Sequence, residues 1–412
     1  MDQTPTNRRV IQVGKSIIGP VEPRQKTVRA RKPGDYPHVP APYLDVARKL
    51  SSPLLMGPPI CDELIAFLRH TFTEEEAGAV RHLGAMKGRT AADIARAAQR
   101  PLDEIEPILE GLAKKRAIAG DGPAEKRRFK LLPVMPGMFE MVLIGESPDA
   151  MTDWHRRFAE LLEALFETGY TLDYADHSAP FVRYLPVGGV LSAHPAALPS
   201  DQLEVVLDRY DKFGVGYCQC RMSTPPTGRG CGRPLEVCTA MGTWAEVGIE
   251  AGWLRSVSKQ GLLEIKREAE THGLVNFIVN VESAKGQASC SCCGCCCKAM
   301  RQVTEFNAPA MLAPPHFMPR FDAAKCTHCG RCARACPMGA ITVNTDRDQG
   351  TLDHQPVRCI GCGLCKLACD KSQAIEMQPV PDYRLPYKSW LSFLLGNAPR
   401  LLTTSWKVWR SR

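Results

Sequence analysis

The sequence predicts an α+β multidomain protein with several folded parts in series, and three observations predict it. The chain has 412 residues, 44% of them apolar, enough for two or three real cores. Between about residues 56 and 135, apolar positions recur at helical spacing behind clear capping residues and then give way to a basic strand. Near the C-terminus, two cysteine runs of one spacing are each followed by a short strand-like stretch, which makes an internal repeat. The expected segments are a basic, disordered arm at 1–55, a helical module at 56–135, a mixed α/β cysteine-rich domain at 136–315, a repeat domain at 316–382 and a basic aromatic tail at 383–412.

The arm carries Arg8, Arg9, Lys15, Arg24, Lys26, Arg29, Arg31 and Lys32 among several prolines, a composition that reads as a solvated, unfolded stretch. Together with the tail it holds much of the formal net charge of +8, so acidic partners or a membrane surface are the expected counterparts. Arg8-Arg9 is followed by residues too polar for a twin-arginine export signal, and no run approaches the roughly 18 apolar residues of a membrane span. Gly14-Lys15-Ser16 is not a phosphate loop, because Arg9 stands where that motif needs its first glycine. With 19 cysteines and no export signal, the thiols read as metal ligands in a reducing cytoplasm and not as disulfides.

In the helical module, Asp62–Phe72 should form one helix, and Thr73 with Glu76 caps the next. Thr90 caps Ala91–Arg100, and Pro101 opens a third helix to about Arg116, which Pro107 should kink or delay. Gly120-Asp-Gly122 then turns into a basic strand ending Arg127-Arg128-Phe129-Lys130-Leu131-Leu132. Helix, turn, helix and hairpin resemble a winged-helix domain. That resemblance implies a recognition helix at Pro101–Arg116, but Asp103, Glu104, Glu106 and Glu110 there would repel phosphate. The wing cations Lys126, Arg127, Arg128 and Lys130 could still touch a nucleic-acid backbone. The expectation is a docking or scaffolding module, with DNA disfavoured.

The middle domain should have helices at Trp154–Thr168, Ser200–Lys212 and Gly261–His272, followed by a strand at Leu274–Val281. Within it, Cys218, Cys220, Cys231 and Cys238 lie in a Gly- and Pro-rich loop and supply the number of thiolates that one [4Fe–4S] cluster needs. Cys290, Cys292, Cys293, Cys295, Cys296 and Cys297 put six more thiols into eight residues. Adjacent cysteines point in different directions, so neighbours should serve different irons or different clusters. One or two additional iron–sulfur clusters are therefore expected, the surplus cysteines of the second run either bridging to the loop or staying free. A Cu(I) or zinc store is the alternative. Cys292-Cys293-Gly294 also weakly resembles the motif of heterodisulfide-reductase-type subunits.

The two C-terminal runs are Cys326-x2-Cys329-x2-Cys332-x3-Cys336-Pro337 and Cys359-x2-Cys362-x2-Cys365-x3-Cys369. Three cysteines two residues apart offer three corners of a compact [4Fe–4S] cage, and the fourth comes from elsewhere. Paired zinc sites could use Cys-x2-Cys pairs, but neither zinc nor disulfides account for two full repeats with a fourth cysteine at the same offset. The spacing closely resembles the two-cluster bacterial ferredoxins. That resemblance implies two [4Fe–4S] clusters with exchanged fourth ligands: Cys326, Cys329, Cys332 and Cys369 for one, and Cys359, Cys362, Cys365 and Cys336 for the other. Gly330, Gly361 and Gly363 should let backbone N–H groups approach the sulfides, while Ala335 and Ala368 leave room. Asp370 replaces the proline of the first run and puts a charge near a cluster.

Beyond Asp382 no acidic residue occurs, while Arg384, Lys388, Arg400, Lys407, Arg410 and Arg412 accompany Trp390, Phe393, Leu394, Leu395, Leu401, Leu402, Trp406 and Trp409. Such a segment suits the inner face of an anionic membrane, a partner's groove, or a helix folded on the protein's own core. Pro399 is expected to break it into two short pieces.

As a whole, the chain resembles bacterial 4Fe-4S dicluster ferredoxin-type proteins with an N-terminal winged-helix-like module and an additional cysteine-rich region. That resemblance implies electron transport with redox partner proteins as donor and acceptor. No Gly-x-Gly-x-x-Gly follows a strand, so no nicotinamide or flavin site is expected, and the chain reads as a one-electron relay to or from a partner oxidoreductase. Two alternatives stay open. One is a reductase acting on a small molecule at a cluster within Cys218–Cys297, and the other is a redox-sensing regulator that uses the winged helix.

Overall fold

The computed structural model describes residues 23–85, 87–123, 126–175, 180–191, 194–228, 230–282, 284–308, 312–344 and 350–412, with the backbone of 11–13 and 16–18. Arg8, Arg9 and Lys15 of the expected arm lie outside them. The chain divides into two compact units. One comprises Lys26–Tyr174 with Met222–Thr227 and Leu401–Arg412, and the other comprises Met1–Gln25, Ala175–Arg221 and Gly228–Arg400. This division departs from five segments in series, because later stretches return to the helical unit.

A short hairpin, β1 (Ile11–Val13) and β2 (Ser16–Ile18), precedes the helical unit. The expected arm is corrected from residue 41 onward, where helix α1 (Ala41–Leu50) forms. Tyr43, Val46, Ala47 and Leu50 recur at i, i+3, i+4 and i+7 and are buried, which outweighs the prolines on either side. Helices α2 (Asp62–Thr71), α3 (Glu74–Val80), α4 (Ala91–Ala98) and α5 (Leu102–Lys114) follow. Thr73 with Glu76 and Thr90 with Asp93 form reciprocal capping boxes that satisfy first-turn N–H groups. Pro107 does not delay α5, which starts at Leu102 and buries Ile105, Leu109 and Leu112. Strands β3 (Ile118–Asp121) and β4 (Arg128–Leu131) make a hairpin, extended by a bridge from Arg89 to Phe129. After α6 (Phe139–Ile144), helix α7 (Asp153–Glu167) packs on α2 through Phe67 and Phe158, with ring centroids 5.1 Å apart.

The other unit is built on a six-stranded antiparallel sheet. Strand β5 (Val182–Tyr184) is followed by the short helices α8 (Gly188–Leu191) and α9 (Leu203–Leu207), then β6 (Phe213–Gly216) and the turn α10 (Gln219–Met222). Next come β7 (Cys238–Gly242), α11 (Thr243–Glu250), β8 (Arg255–Val257), α12 (Lys259–Thr271), β9 (Val275–Val279) and β10 (Gly286–Cys292). The order across the sheet is β5-β9-β10-β7-β6-β8. The helix expected over Ser200–Lys212 is corrected to the five residues of α9, because the chain must extend before Phe213 to join the sheet, and the Gly242 N–H donates to the Lys212 carbonyl at 2.9 Å.

Helix α13 (Lys298–Thr304) leads to β11 (Phe317–Phe321) and the repeat region: α14 (Arg331–Ala335), β12 (Ile341–Asn344), β13 (Thr351–His354), α15 (Leu364–Ala368) and β14 (Ile375–Pro379). Strands β11 and β14 pair, β12 pairs with β13, and β2 joins the edge of β12. Each repeat is therefore a cysteine loop, one helical turn and a strand, as its sequence suggests.

The tail is corrected as well. Helix α16 runs unbroken over Trp390–Ser411 with Pro399 inside it. Phe393, Asn397, Thr404 and Val408 form one buried stripe that holds the helix together across the missing N–H. Among the described residues, no helix is long and apolar enough to cross a membrane.

Candidate metal centres

Two cavities in the repeat region are each lined by four cysteines. Cys326, Cys329 and Cys332 from the first run line one together with Cys369 from the second. Cys359, Cys362 and Cys365 line the other together with Cys336 from the first run. The exchange follows from the fold: α14 and α15 pack together, and the cysteine that ends each one reaches past its own loop.

Backbone donors point at these sulfurs. The Ala340 N–H reaches Cys336 Sγ at 3.4 Å, and the Gly361 N–H reaches Cys359 Sγ at 3.4 Å. Gly361 has φ +65°, and a Cβ there would lie 2.3 Å from the Phe317 carbonyl oxygen, so only glycine fits. Burial pushes the Cys332 thiol up to about 11 and Cys359 up to about 12, and it pushes Cys362 and Cys365 higher still. Burial thus favours the neutral thiol at these four positions, whereas the more open Cys329 is held below the usual thiol value, its desolvation outweighed by the Arg331 N–H and guanidinium and the Thr327 side chain. A cationic metal core is what turns such a collection into thiolates, and the all-sulfur donor set fits an iron–sulfur core.

The ten thiols of the middle domain sort themselves differently from their order in sequence. Cys231 leaves its loop neighbours and meets Cys293, Cys295 and Cys296, all four sulfurs within 4.8 Å of one another. The other six form two linked groups. The Cys238 thiol lies against Cys218 and Cys290, and the Cys297 thiol lies against Cys220 and Cys292. The sheet causes this sorting, since Cys238 at the start of β7 stands opposite Cys290 on β10, and Cys292 ends β10 beside Val275 of β9. The Tyr184 hydroxyl, on β5, contacts Cys297 Sγ at 3.5 Å. Cys61 stands apart in the helical unit, its thiol pushed up to about 12 by burial.

Three cations escaped the reading of the sequence. The Arg221 guanidinium, 2% exposed, donates to Cys293 Sγ at 3.7 Å and to the Ser291 carbonyl at 2.9 Å. Burial works against this cation, but the thiols of Cys218, Cys293, Cys238 and Cys292 outweigh it and hold its pKa above the usual value. Arg233 donates to Cys295 Sγ at 3.3 Å. Lys266 is buried and donates to the carbonyls of Val237 and Ser289 at 3.2 and 2.7 Å and to Ser291 Oγ at 3.3 Å. Burial pushes its ammonium down to about 8, against the pull of Cys290, Cys238, Cys292 and Cys218. A signal existed: Lys266 falls on the stripe Leu262, Leu263, Ala269 of α12, where a lysine is out of place unless anionic groups lie beneath it.

The thiol sites share apolar surroundings. Cys292 and Cys297 belong to one buried cluster with Val190, Met300, Phe317 and Cys362, against which Cys336 and Cys359 pack. Cys336 also packs on the next cluster, with Cys332, Cys365 and Cys369.

Residues 325–382 match the family described as a 4Fe-4S dicluster domain, so this part of the chain is of the iron–sulfur, ferredoxin type. Among curated proteins, the chain is similar to the electron transport protein HydN of Escherichia coli K12, 35% identical over 91 residues that cover 19% of this chain and 49% of the relative. It is also similar to the thiosulfate reductase electron transfer subunit PhsB of Salmonella typhi, 33% identical over 109 residues that cover 23% of this chain and 54% of the relative. The chain thus spans about half the length of the curated relatives it matches. No solved structure matches it significantly.

Proposed function

We propose that this chain is an iron–sulfur electron-transfer protein that relays electrons one at a time to or from a partner oxidoreductase. The observation that carries the reading is the pair of four-cysteine cavities, each with three thiols from one run and the fourth from the other. Cys326, Cys329, Cys332 and Cys369 hold one [4Fe–4S] cluster, and Cys359, Cys362, Cys365 and Cys336 hold the second. Bound there, each cluster supplies a one-electron couple. At the second of these sites the protein's own groups keep water out with Ile341, Ile360 and Met377 and donate backbone hydrogen bonds to Cys336 and Cys359. The names of the similar proteins, both electron transfer proteins, support the same reading.

Cys218, Cys220, Cys238, Cys290, Cys292 and Cys297 hold a further cluster with Lys266 as its buried counter-cation. Support comes from the apolar cluster that Cys292 and Cys297 share with Cys362, because it gives a dry route from the middle domain to the repeat region. The Lys26–Tyr174 unit, with four helices and a hairpin over 62–131, serves as a winged-helix-like scaffold and not a DNA reader. Asp103, Glu104 and Glu106 are exposed on α5, while Arg127 pairs with Glu110 and Lys130 with Asp121. Helix α16 is the docking element. Leu391, Leu394, Leu395, Leu402, Trp406 and Trp409 are exposed beside Arg400, Lys407 and Arg410, which suits the anionic inner face of a membrane.

Anaerobically purified full-length protein tests the relay. Acid-labile sulfide with at least as much iron, and reduced-cluster EPR signals that grow in one-electron steps, are expected. Protein that stays free of sulfide after reconstitution with iron and sulfide overturns the reading.

A further inference from the structure

Cys231, Cys293, Cys295 and Cys296 differ in kind from the other thiol sites. Among the described residues, they are the only set of three or more metal-ligating side chains whose donor atoms lie within 4.8 Å of one another, and Cys231 Sγ to Cys293 Sγ is 4.0 Å. Neither ferredoxin-type cavity gathers its sulfurs so closely. The spacing bears directly on nuclearity. A tetrahedral ion with metal–sulfur bonds of about 2.3 Å sets its four sulfurs about 3.8 Å apart. An iron cube separates the same four sulfurs further, by the length of its iron–iron edge, and any edge longer than about 1 Å already exceeds the observed limit.

We infer that Cys231, Cys293, Cys295 and Cys296 bind one tetrahedral metal ion, a mononuclear tetrathiolate site for zinc or iron, beside the cluster sites and not part of them. The donor set is closed and all sulfur, which selects a borderline-soft first-row ion. Its charge is matched. Four thiolates around a divalent ion make a dianion, and two guanidiniums face it, Arg221 on Cys293 and Arg233 on Cys295. Each is aimed by a second bond, Arg221 to the Ser291 carbonyl and Arg233 Nε to the His272 carbonyl at 3.0 Å. Such outer hydrogen bonds to sulfur orient the ligands and offset the charge. The topology suits a clamp: Cys293, Cys295 and Cys296 form the turn between β10 and α13, and Cys231 comes from the loop before β7. The ion would tie that loop to the end of the sheet.

The test counts metal against sulfide. Full-length protein purified without oxygen, wild type and the double variant Cys231→Ser/Cys296→Ser, is assayed for zinc, iron and acid-labile sulfide per chain. The expected result is loss of a single metal ion with sulfide unchanged and the reduced-cluster EPR signals intact. Loss of about four iron with an equal amount of sulfide, or no loss of metal, overturns the inference. Should the double variant fail to fold, wild-type protein decides. A zinc K-edge spectrum with four sulfurs at about 2.3 Å and no metal neighbour supports a zinc ion. In its place, the isolated high-spin ferric EPR signal of a tetrathiolate iron, read after brief oxidation with ferricyanide, supports an iron ion, and absence of both overturns the inference.

Discussion

Arg331 and Asp370 form an ion pair at 2.5 Å that joins the helical turn of the first cysteine run to the residue after the second. Asp370 is the position where the internal repeat departs from proline, and its charge is answered by the residue that follows Gly330. Arg331 holds the Asp370 carboxyl below its usual range through this bond. The pair sits beside Cys329 and Cys369 and adds little net charge to that cluster's surroundings. Removing the cation alone leaves the carboxylate uncompensated there. Arg331→Ala is expected to lower the midpoint potential of the Cys326-Cys329-Cys332-Cys369 cluster, whereas Arg331→Ala with Asp370→Asn is expected to restore it. Because both side chains are exposed, the shift should stay below about 60 mV, one decade for a one-electron couple. An EPR-monitored redox titration reads it.

Cys336→Ala should remove a ligand from the cavity that holds Cys359, Cys362 and Cys365, although Cys336 belongs to the other run. Loss of that cluster, with the Cys326-Cys329-Cys332 cluster spared, is the expected EPR outcome. Loss confined to the latter cluster would show that the fourth ligands are not exchanged.

Lys266→Met replaces a buried cation by an apolar side chain of similar length. A nearby positive charge favours the more negative, reduced state of a cluster. Its removal should therefore lower the midpoint of the middle-domain cluster, by about 60 mV or more in this desolvated setting. An unchanged midpoint for that cluster would mean that Lys266 only ties strands together.

Thr73→Ala removes the side-chain acceptor of the α3 capping box, whose Glu76 N–H bond is 3.1 Å. The helical unit should lose about 1 kcal/mol, read as a lower urea midpoint for the far-UV helical signal with the iron–sulfur absorbance unaffected at low denaturant.

For α16, the triple change Leu395→Ser/Trp406→Ser/Trp409→Ser strips exposed apolar area and leaves the stripe of Phe393, Asn397, Thr404 and Val408 in place. Co-sedimentation with anionic vesicles at low salt should fall at least tenfold relative to the wild type. Equal sedimentation would mean that this face does not meet a membrane.

What could be read from the sequence was local. The capping box at Thr73, the cap at Thr90, the helix from Asp62 and the two cysteine runs depend on neighbours within a few residues, and the structure has them where the pattern put them. What could not be read depends on long-range pairing. Nothing in the spacing of Cys218, Cys220, Cys231 and Cys238 reveals that Cys231 departs to meet Cys293, because that contact joins the loop before β7 to the turn after β10, 62 residues further on. The early end of α9 was hidden for the same reason, since helical periodicity runs past Leu207 while the sheet claims Phe213. Pro399 misled in the opposite sense: the cost of one missing N–H is met by apolar burial on either side of it, at Phe393 and Val408.

The pairing of Cys238 with Cys290 across β7 and β10 makes strand register a condition for those two thiols to meet. Backbone hydrogen bonds in that ladder bring them face to face. Because side chains alternate across a strand, a slip of one residue would turn one thiol to the opposite face of the sheet. A mispaired strand would separate the two sulfurs even with every cysteine present in the sequence.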